Sequence, residues 1–287
     1  MIADEETAFR LAEDRIAECK RKKAKELDLA GLGLTEVPAI MRELTWLKTL
    51  SLGNNRIEAL PDWLGKLNGL QDLYLQNNPI QIWPAGFFEL RDLLQLFLSD
   101  TYPRHLLHKF DAFPRLINLG LIGMGLTEVP PSVRKLRHLF ALGLGGNRLT
   151  GLPEWLGELG ELGLLFVSNN QLEKLPDSLR SLKHLDRLEV EGNPKLGLPK
   201  EIVASRDPRR ILDYYFRTRA SSAPQPLNEF KLILVGRGGV GKTTLVHRLQ
   251  TGKFREFKRT PGIKITQMPM TIGGEAVQAH VWDFGGQ

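Results

Sequence analysis

The sequence predicts an α/β chain in two parts: a solenoid of about eight short parallel strands, one per 23-residue repeat, then the first half of a second α/β domain. Three observations carry this reading. Leucines recur with a 23-residue period from Leu27 to Leu188. A glycine-rich stretch, Gly236-Arg237-Gly238-Gly239-Val240-Gly241-Lys242-Thr243, lies between an apolar run and a helically spaced segment. The hydrophobic fraction is 42% and the charged fraction 25%, the balance of a globular chain.

At 287 residues the chain can hold two domains, each with its own core. No run of about 18 apolar residues exists, so no membrane span is expected. The N-terminus, Met1-Ile2-Ala3-Asp4-Glu5-Glu6, is acidic and lacks an apolar segment with a cleavage site, which argues against a secretory signal. Cys19 is the only cysteine, so the expected location is a reducing cytoplasm. A net charge of +6 raises the question of nucleic acid or an anionic membrane. The basic residues are scattered, however, except in Lys20-Arg21-Lys22-Lys23-Ala24-Lys25, where no aromatics interleave. That run reads as a solvated helix end, and no nucleic-acid partner is expected.

Residues from about Asp4 to Glu26 read as an amphipathic capping helix, with Phe9, Ala12, Ile16 and Cys19 at helical spacing among charges. Repeat units then start at Leu27, Leu50, Leu73, Leu96, Leu119, Leu142, Leu165 and Leu188. The clearest copy is Leu50-Ser51-Leu52-Gly53-Asn54-Asn55-Arg56-Ile57-Glu58-Ala59-Leu60-Pro61. It resembles the leucine-rich repeat, and the resemblance covers residues 27–200. In each unit two leucines point inward from a short strand, and parallel strands about 4.8 Å apart stack into an arc of roughly 40 Å. The sixth position carries Asn55, Asn78, Asn147, Asn170 and Asn193, whose buried amides are expected to satisfy turn backbone in a ladder. The twelfth carries Pro38, Pro61, Pro84, Pro130, Pro153, Pro176 and Pro199, which turn the chain onto the convex side.

The fourth unit departs from this pattern, with Thr101 for Asn and Leu107 for Pro, and the fifth has Met124 for Asn. A local kink or bulge is expected there. His105 and His108 near Asp100 and Asp111 read as surface and turn residues rather than a metal site. Trp63 and Trp155 share the fourteenth position and are expected in core or convex-face packing. Tyr74, Phe97 and Phe166 fall at position two, on the concave face, with Glu189 and Glu191 near its end. Exposed aromatics there suggest a protein partner; a face covered by the chain's own flanks is the other reading.

Past Pro199, Ile202, Val203, Ile211, Leu212, Tyr215 and Phe216 suggest one or two helices sealing the last repeat, and a small, Pro-containing linker runs to Asn228. The expected divisions are a cap at 1–26, repeats at 27–200, cap helices and linker at 201–228 and a second domain at 229–287.

That domain opens with the apolar run Lys231-Leu232-Ile233-Leu234-Val235, then the glycine-rich stretch, then the helical segment Thr244 to Leu249. The stretch fits the phosphate-loop pattern G-x-x-x-x-G-K-[ST], and its setting between strand and helix is the one the motif requires. Glycines let backbone N–H groups close around phosphates, and the helix N-terminus adds a positive dipole end. Lys242 is expected to place a point charge on the β- and γ-phosphates, and Thr243 to offer its hydroxyl to Mg²⁺. Gly236, Arg237, Gly238, Gly239, Val240, Gly241, Lys242, Thr243 and Thr244 are therefore the expected nucleotide-binding residues. Lys264–Met270 and Ala276–Trp282 read as two strands joined around Gly273-Gly274, the second running into Asp283-Phe284-Gly285-Gly286-Gln287.

This combination resembles the P-loop domain of Ras-like GTPases, whose third strand ends in D-x-x-G followed by Gln. The resemblance implies that Asp283 holds Mg²⁺ through water, that Gly286 offers its N–H to the γ-phosphate and that Gln287 orients the attacking water. It also implies that Thr260, in Thr260-Pro261-Gly262-Ile263, closes on Mg²⁺ in the triphosphate state, although Thr251 and Thr266 flank the same region. A leucine-rich solenoid ahead of such a domain is similar to the Roco family, in which repeats precede a Roc GTPase domain and a COR dimerisation domain. The family implies GTP and GDP as ligands with Mg²⁺, GTP hydrolysis, a nucleotide-dependent switch and a homodimer formed through COR.

The N-K-x-D motif that reads guanine does not occur before Gln287, nor does COR. The chain is therefore expected to be the N-terminal part of a longer protein and inactive in hydrolysis by itself. Two readings compete with a GTPase switch: a non-catalytic leucine-rich repeat binding module with a truncated nucleotide domain, and a signalling ATPase. The short spacing from Lys242 to Asp283 and the Asp-Phe-Gly-Gly-Gln ending favour the GTPase over the ATPase.

Overall fold

The computed structural model describes residues 5–101, 106–220, 229–234, 237, 240–257, 263–272 and 275–284. The chain divides into two compact units, at residues 1–217 and 218–287.

The first unit opens with helix α1 (Glu5–Lys22), which buries Ala8, Ala12, Ile16 and Cys19 and leaves Phe9 partly covered. It stops short of the expected Glu26. Lys23 turns with φ 49°, and Glu26–Asp28 becomes the first strand because it pairs in parallel with the next repeat. Eight three-residue strands follow at the repeat period: β1 (Glu26–Asp28), β2 (Thr49–Ser51), β3 (Asp72–Tyr74), β4 (Gln95–Phe97), β5 (Asn118–Gly120), β6 (Ala141–Gly143), β7 (Leu164–Phe166) and β8 (Arg187–Glu189). They form one parallel sheet in sequence order, with Leu27, Leu50, Leu73, Leu96, Leu119, Leu142, Leu165 and Leu188 side by side and buried.

Each Pro of the twelfth position that caps a five-residue 3₁₀ helix on the convex side pre-sets the turn into it. These helices are Ala39–Glu43, Asp62–Lys66, Ala85–Glu89, Pro131–Lys135, Glu154–Glu158 and Asp177–Ser181. Each places its third residue in the core: Met41, Leu64, Phe87, Val133, Leu156 and Leu179. Trp63 and Trp155 pack against that core, as their shared position predicts.

The asparagine ladder forms. Asn170 Nδ2 donates to the carbonyls of Leu144 (2.9 Å) and Val167 (3.0 Å), and its Oδ1 accepts from Leu149 N (3.0 Å). Asn55, Asn78, Asn147 and Asn193 repeat this arrangement in their own units. A second period runs beside it. Position five is left-handed in every unit, at Gly31, Asn54, Asn77, Asp100, Gly123, Gly146, Asn169 and Gly192. Only Gly, Asn and Asp occupy it, the residue types that tolerate this region.

The fourth unit does not kink the sheet. β4 and β5 pair Leu96 with Leu119 in the common register, because the leucine period is kept. Among the described residues the departure lies in the turns that follow the strand, where Leu106–His108 and Phe110–Ala112 replace the single 3₁₀ helix. Thr101 is buried and bonds only back to Leu98 O (2.6 Å) among the contacts described, so it does not bridge units as Asn does. His105 lies outside the described residues.

Two helices, α2 (Lys200–Ala204) and α3 (Pro208–Ala220), follow the last repeat, and α3 buries Ile211, Leu212 and Tyr215. The Tyr215 hydroxyl accepts a hydrogen bond from Leu175 N (2.9 Å), tying this cap to the solenoid. Tyr215→Phe leaves that buried N–H without its partner, so thermal or urea unfolding is expected to show a loss of about 1–2 kcal/mol; an unchanged midpoint would show the bond to be dispensable.

The second unit contains β9 (Glu229–Leu234), α4 (Lys242–Thr251), β10 (Ile263–Ile272) and β11 (Glu275–Phe284). Its sheet has the order β10-β11-β9. β10 and β11 pair antiparallel from Ile263–Phe284 to Ile272–Glu275, and β11 runs parallel to β9. Both hairpin strands are longer than the sequence predicts, since the register stays unbroken from Ile263–Phe284 to Ile272–Glu275. Pro269 sits in β10, the edge strand, where a missing N–H is tolerated. Among the described residues no helix is long and apolar enough to cross a membrane.

Candidate functional site

The site lies where the parallel strands β9 and β11 end together, Leu234 beside Asp283. In open α/β sheets this carboxyl edge is where ligands bind. Helix α4 is held over the sheet by Val246, which is buried against Met268, Ala279 and Val281 with Leu232 and Leu234 alongside. That one apolar anchor points the N-terminus of α4 at the strand ends. The opposite face of the sheet carries Ile233 and Ile265, both about half exposed.

Gly241 caps α4 at φ 88°, a left-handed conformation that strains any residue with a Cβ. Apart from its chain neighbours, no atom of the described residues lies within 4 Å of where that Cβ would stand. Lys242 begins the helix, and its Nζ donates to Arg237 O at 3.0 Å, which folds the side chain back across the loop. Gly252, with φ 69°, closes the helix by donating to Arg248 O.

Thr243 and Asp283 meet although 40 residues separate them: Thr243 Oγ1 donates to Asp283 Oδ2 at 2.5 Å. Asp283 is 2% exposed, and its Oδ1 has no hydrogen-bond partner among the described residues. A buried carboxylate oxygen without a partner is costly unless something else neutralises it. A hydroxyl and a carboxylate, all hard oxygen donors with one oxygen unfilled, fit Mg²⁺.

The structure therefore brings together Arg237, Gly241, Lys242, Thr243 and Asp283, with Val240 exposed beside the loop and Thr244 in the first turn of α4. Gly236, Gly238, Gly239, Thr260, Gly286 and Gln287 lie outside the described residues. The role of the Arg237 carbonyl as a rest for Lys242 has no signal in the sequence, because any residue supplies a carbonyl.

The family described as "Ras of Complex, Roc, domain of DAPkinase" matches residues 231–287, and that described as "Leucine Rich repeats (2 copies)" matches residues 45–88. Ras-related protein Rab-19 of Xenopus laevis is 44% identical over 59 residues, which are 20% of this chain and 28% of that protein. A solved leucine-rich repeat protein of Leptospira interrogans is similar with a TM-score of 0.55 and 34% identity, over 62% of this chain and 46% of that one. The chain thus spans under a third of the length of the first relative and under half of the second. The solenoid is a leucine-rich repeat solenoid, and a partial Roc domain of the Ras-like kind follows it.

Proposed function

We propose, for a chain in which leucine-rich repeats precede a Roc segment in the order of the Roco family, that the protein is a Mg²⁺-dependent guanine-nucleotide switch that hydrolyses GTP. The observation that carries this is the contact between Thr243 and the buried Asp283, whose second oxygen has no partner among the described residues. In this reading Thr243 ligates the ion directly and Asp283 holds it through water. Bound Mg²⁺ supplies charge neutralisation between the β- and γ-phosphates. Backbone N–H groups at the N-terminus of α4 receive phosphate oxygens, and Lys242 leaves the Arg237 carbonyl to pair with them. Gly286 donates its N–H to the γ-phosphate, Thr260 closes on the ion and Gln287 orients the attacking water. The solenoid serves protein recognition or regulation, and the whole protein dimerises through a COR domain and works in the cytoplasm.

Isothermal titration of GDP, GTP and ATP, with and without Mg²⁺, tests the reading on the whole protein. Guanine-selective, Mg²⁺-dependent binding supports it; equal affinity for ATP, or no binding, overturns it and leaves the solenoid as the working part. If the Ras-like roles carry over, a side chain at Gly238 would crowd Gln287 and the γ-phosphate. Gly238→Val is accordingly expected to slow single-turnover GTP hydrolysis by about 100-fold while leaving nucleotide affinity within about threefold. Unchanged turnover would remove Gln287 and Gly238 from the assignment.

A further inference from the structure

We propose that the open edge of the last repeat takes an extended peptide segment of a partner protein as a ninth parallel strand. Two carbonyls of the segment accept hydrogen bonds from Val190 and Gly192 N–H, and one aliphatic side chain fills the cavity beside them. This rests on the reading that the repeats serve protein recognition, and it names where they bind and what.

At every junction between repeats, two backbone N–H groups beyond the strand reach across to the next unit. Leu144 N donates to Phe166 O (2.7 Å) and Gly146 N to Ser168 O (2.9 Å). One unit on, Val167 N donates to Glu189 O (2.8 Å) and Asn169 N to Glu191 O (2.6 Å). Val190 and Gly192 hold these two positions in the last unit, and their N–H groups have no partner among the described residues. A further strand is begun there but not continued. Leu188 N donates to Arg206 O at 3.0 Å, so Arg206 stands where the next repeat would start. With φ 54° it then turns the chain away into α3. Unpaired donors along a sheet edge are a template for another chain.

A cavity of about 630 Å³ lies against these donors, between the last repeat and α2. Val190, Leu198, Val203 and Ala204 give it an apolar lining. Its charged residues are Glu189, Glu191, Lys200 and Arg206, two of each sign, so charge does not select the occupant. Spacing does. Donors two residues apart along a strand are about 6.7 Å apart, too far for one carboxylate or phosphate to accept from both. Two carbonyls at i and i+2 of one extended chain have that separation, as Glu189 O and Glu191 O have one unit earlier. The residue between those two is Val190, which is 2% exposed. Because side chains alternate along a strand, the corresponding residue of an added chain also faces inward, over Val190 and into the apolar part of the cavity. Val, Leu or Ile suits that position.

Amide NMR of the full chain, titrated with the blocked peptide acetyl-Ser-Thr-Val-Thr-Ser-amide, tests this. Two neutral hydrogen bonds and one buried aliphatic side chain put the expected dissociation constant at about 1 mM. At about 10 mM peptide the Val190 and Gly192 amide protons are expected to shift downfield and to exchange about tenfold more slowly. The same peptide with Gly for Val is expected to bind about tenfold more weakly, and raising salt from about 50 to about 500 mM to change affinity less than about twofold. Ala204→Trp fills the cavity from an exposed residue of α2, so it is expected to abolish the shifts while thermal unfolding stays unchanged. Three results overturn the proposal. Acetate at the same concentration moving the two amides as far as the peptide does would show a site for a lone anion. Protection of both amides in the free chain that rises with protein concentration would show that a second copy fills the edge. Peptide shifts that miss both amides would take binding off this edge, and the recognition reading would then stand only if other amides of the solenoid move. The nucleotide site is tested separately by titration and is untouched by any of these results.

Discussion

Lys242→Ala is expected to weaken binding of Mg²⁺ and GTP by about 100-fold. A charge-assisted contact to phosphate contributes about 3 kcal/mol, and each 1.4 kcal/mol is a factor of ten. The side chain already lies across the loop, its Nζ 3.0 Å from Arg237 O, so releasing it costs one hydrogen bond and little reorganisation. In the absence of nucleotide the substitution removes a partly exposed side chain at the first position of α4, where Ala is a good helix former, and unfolding is expected to be unchanged. Titration calorimetry of the variant separates the two effects. An affinity within threefold of the parent would show that Lys242 does not meet the phosphates, and the glycine-rich loop would then have to be read as a turn.

Asn170→Ala is expected to destabilise the solenoid by about 3–4 kcal/mol. The side chain is buried and serves three backbone groups in two adjacent units: Leu149 N, Leu144 O and Val167 O. Its removal orphans a buried N–H and takes a donor from two carbonyls, each loss being worth about 1–3 kcal/mol. For a unit of this size that corresponds to a fall in melting temperature of roughly 10 °C. Because solenoid stability is carried by neighbouring units, hydrogen exchange is expected to rise first in the units on either side of Asn170 and last near α1. A melting temperature within 2–3 °C of the parent would mean that water replaces the amide. Thr101, which stands where the fourth unit has no Asn, makes only the bond to its own unit. The ladder is therefore already broken once, and Asn170 lies within the longest remaining run, Asn147 to Asn193.

Both the inward leucines and the prolines were legible because each repeat places the same residue type at the same physical task. The left-handed fifth position was equally legible, since only Gly, Asn and Asp occur there, although the asparagines of position six draw the eye first. In the fourth unit the missing Asn and Pro mark a local change of turns, at Leu106–His108 and Phe110–Ala112, while the strand register follows the leucine spacing. Likewise α1 ended early at Lys22 because pairing with β2 outweighed the helical pattern beyond it.

In the second unit the sequence by itself determined helix α4, the paired strands β10 and β11 and the presence of Asp283 at a strand end, for these follow from local spacing and residue type. Only the tertiary structure decided that Thr243 and Asp283 touch, because parallel pairing of β9 with β11 brings together residues that no local pattern connects. On the concave face the sequence determined where Tyr74, Phe97 and Phe166 stand, while packing decided that Phe97 and Ile122 lie across Gly120 and Gly143. A period tells which way a side chain leaves the backbone; what it then covers depends on the neighbour that the stacked repeat puts beside it.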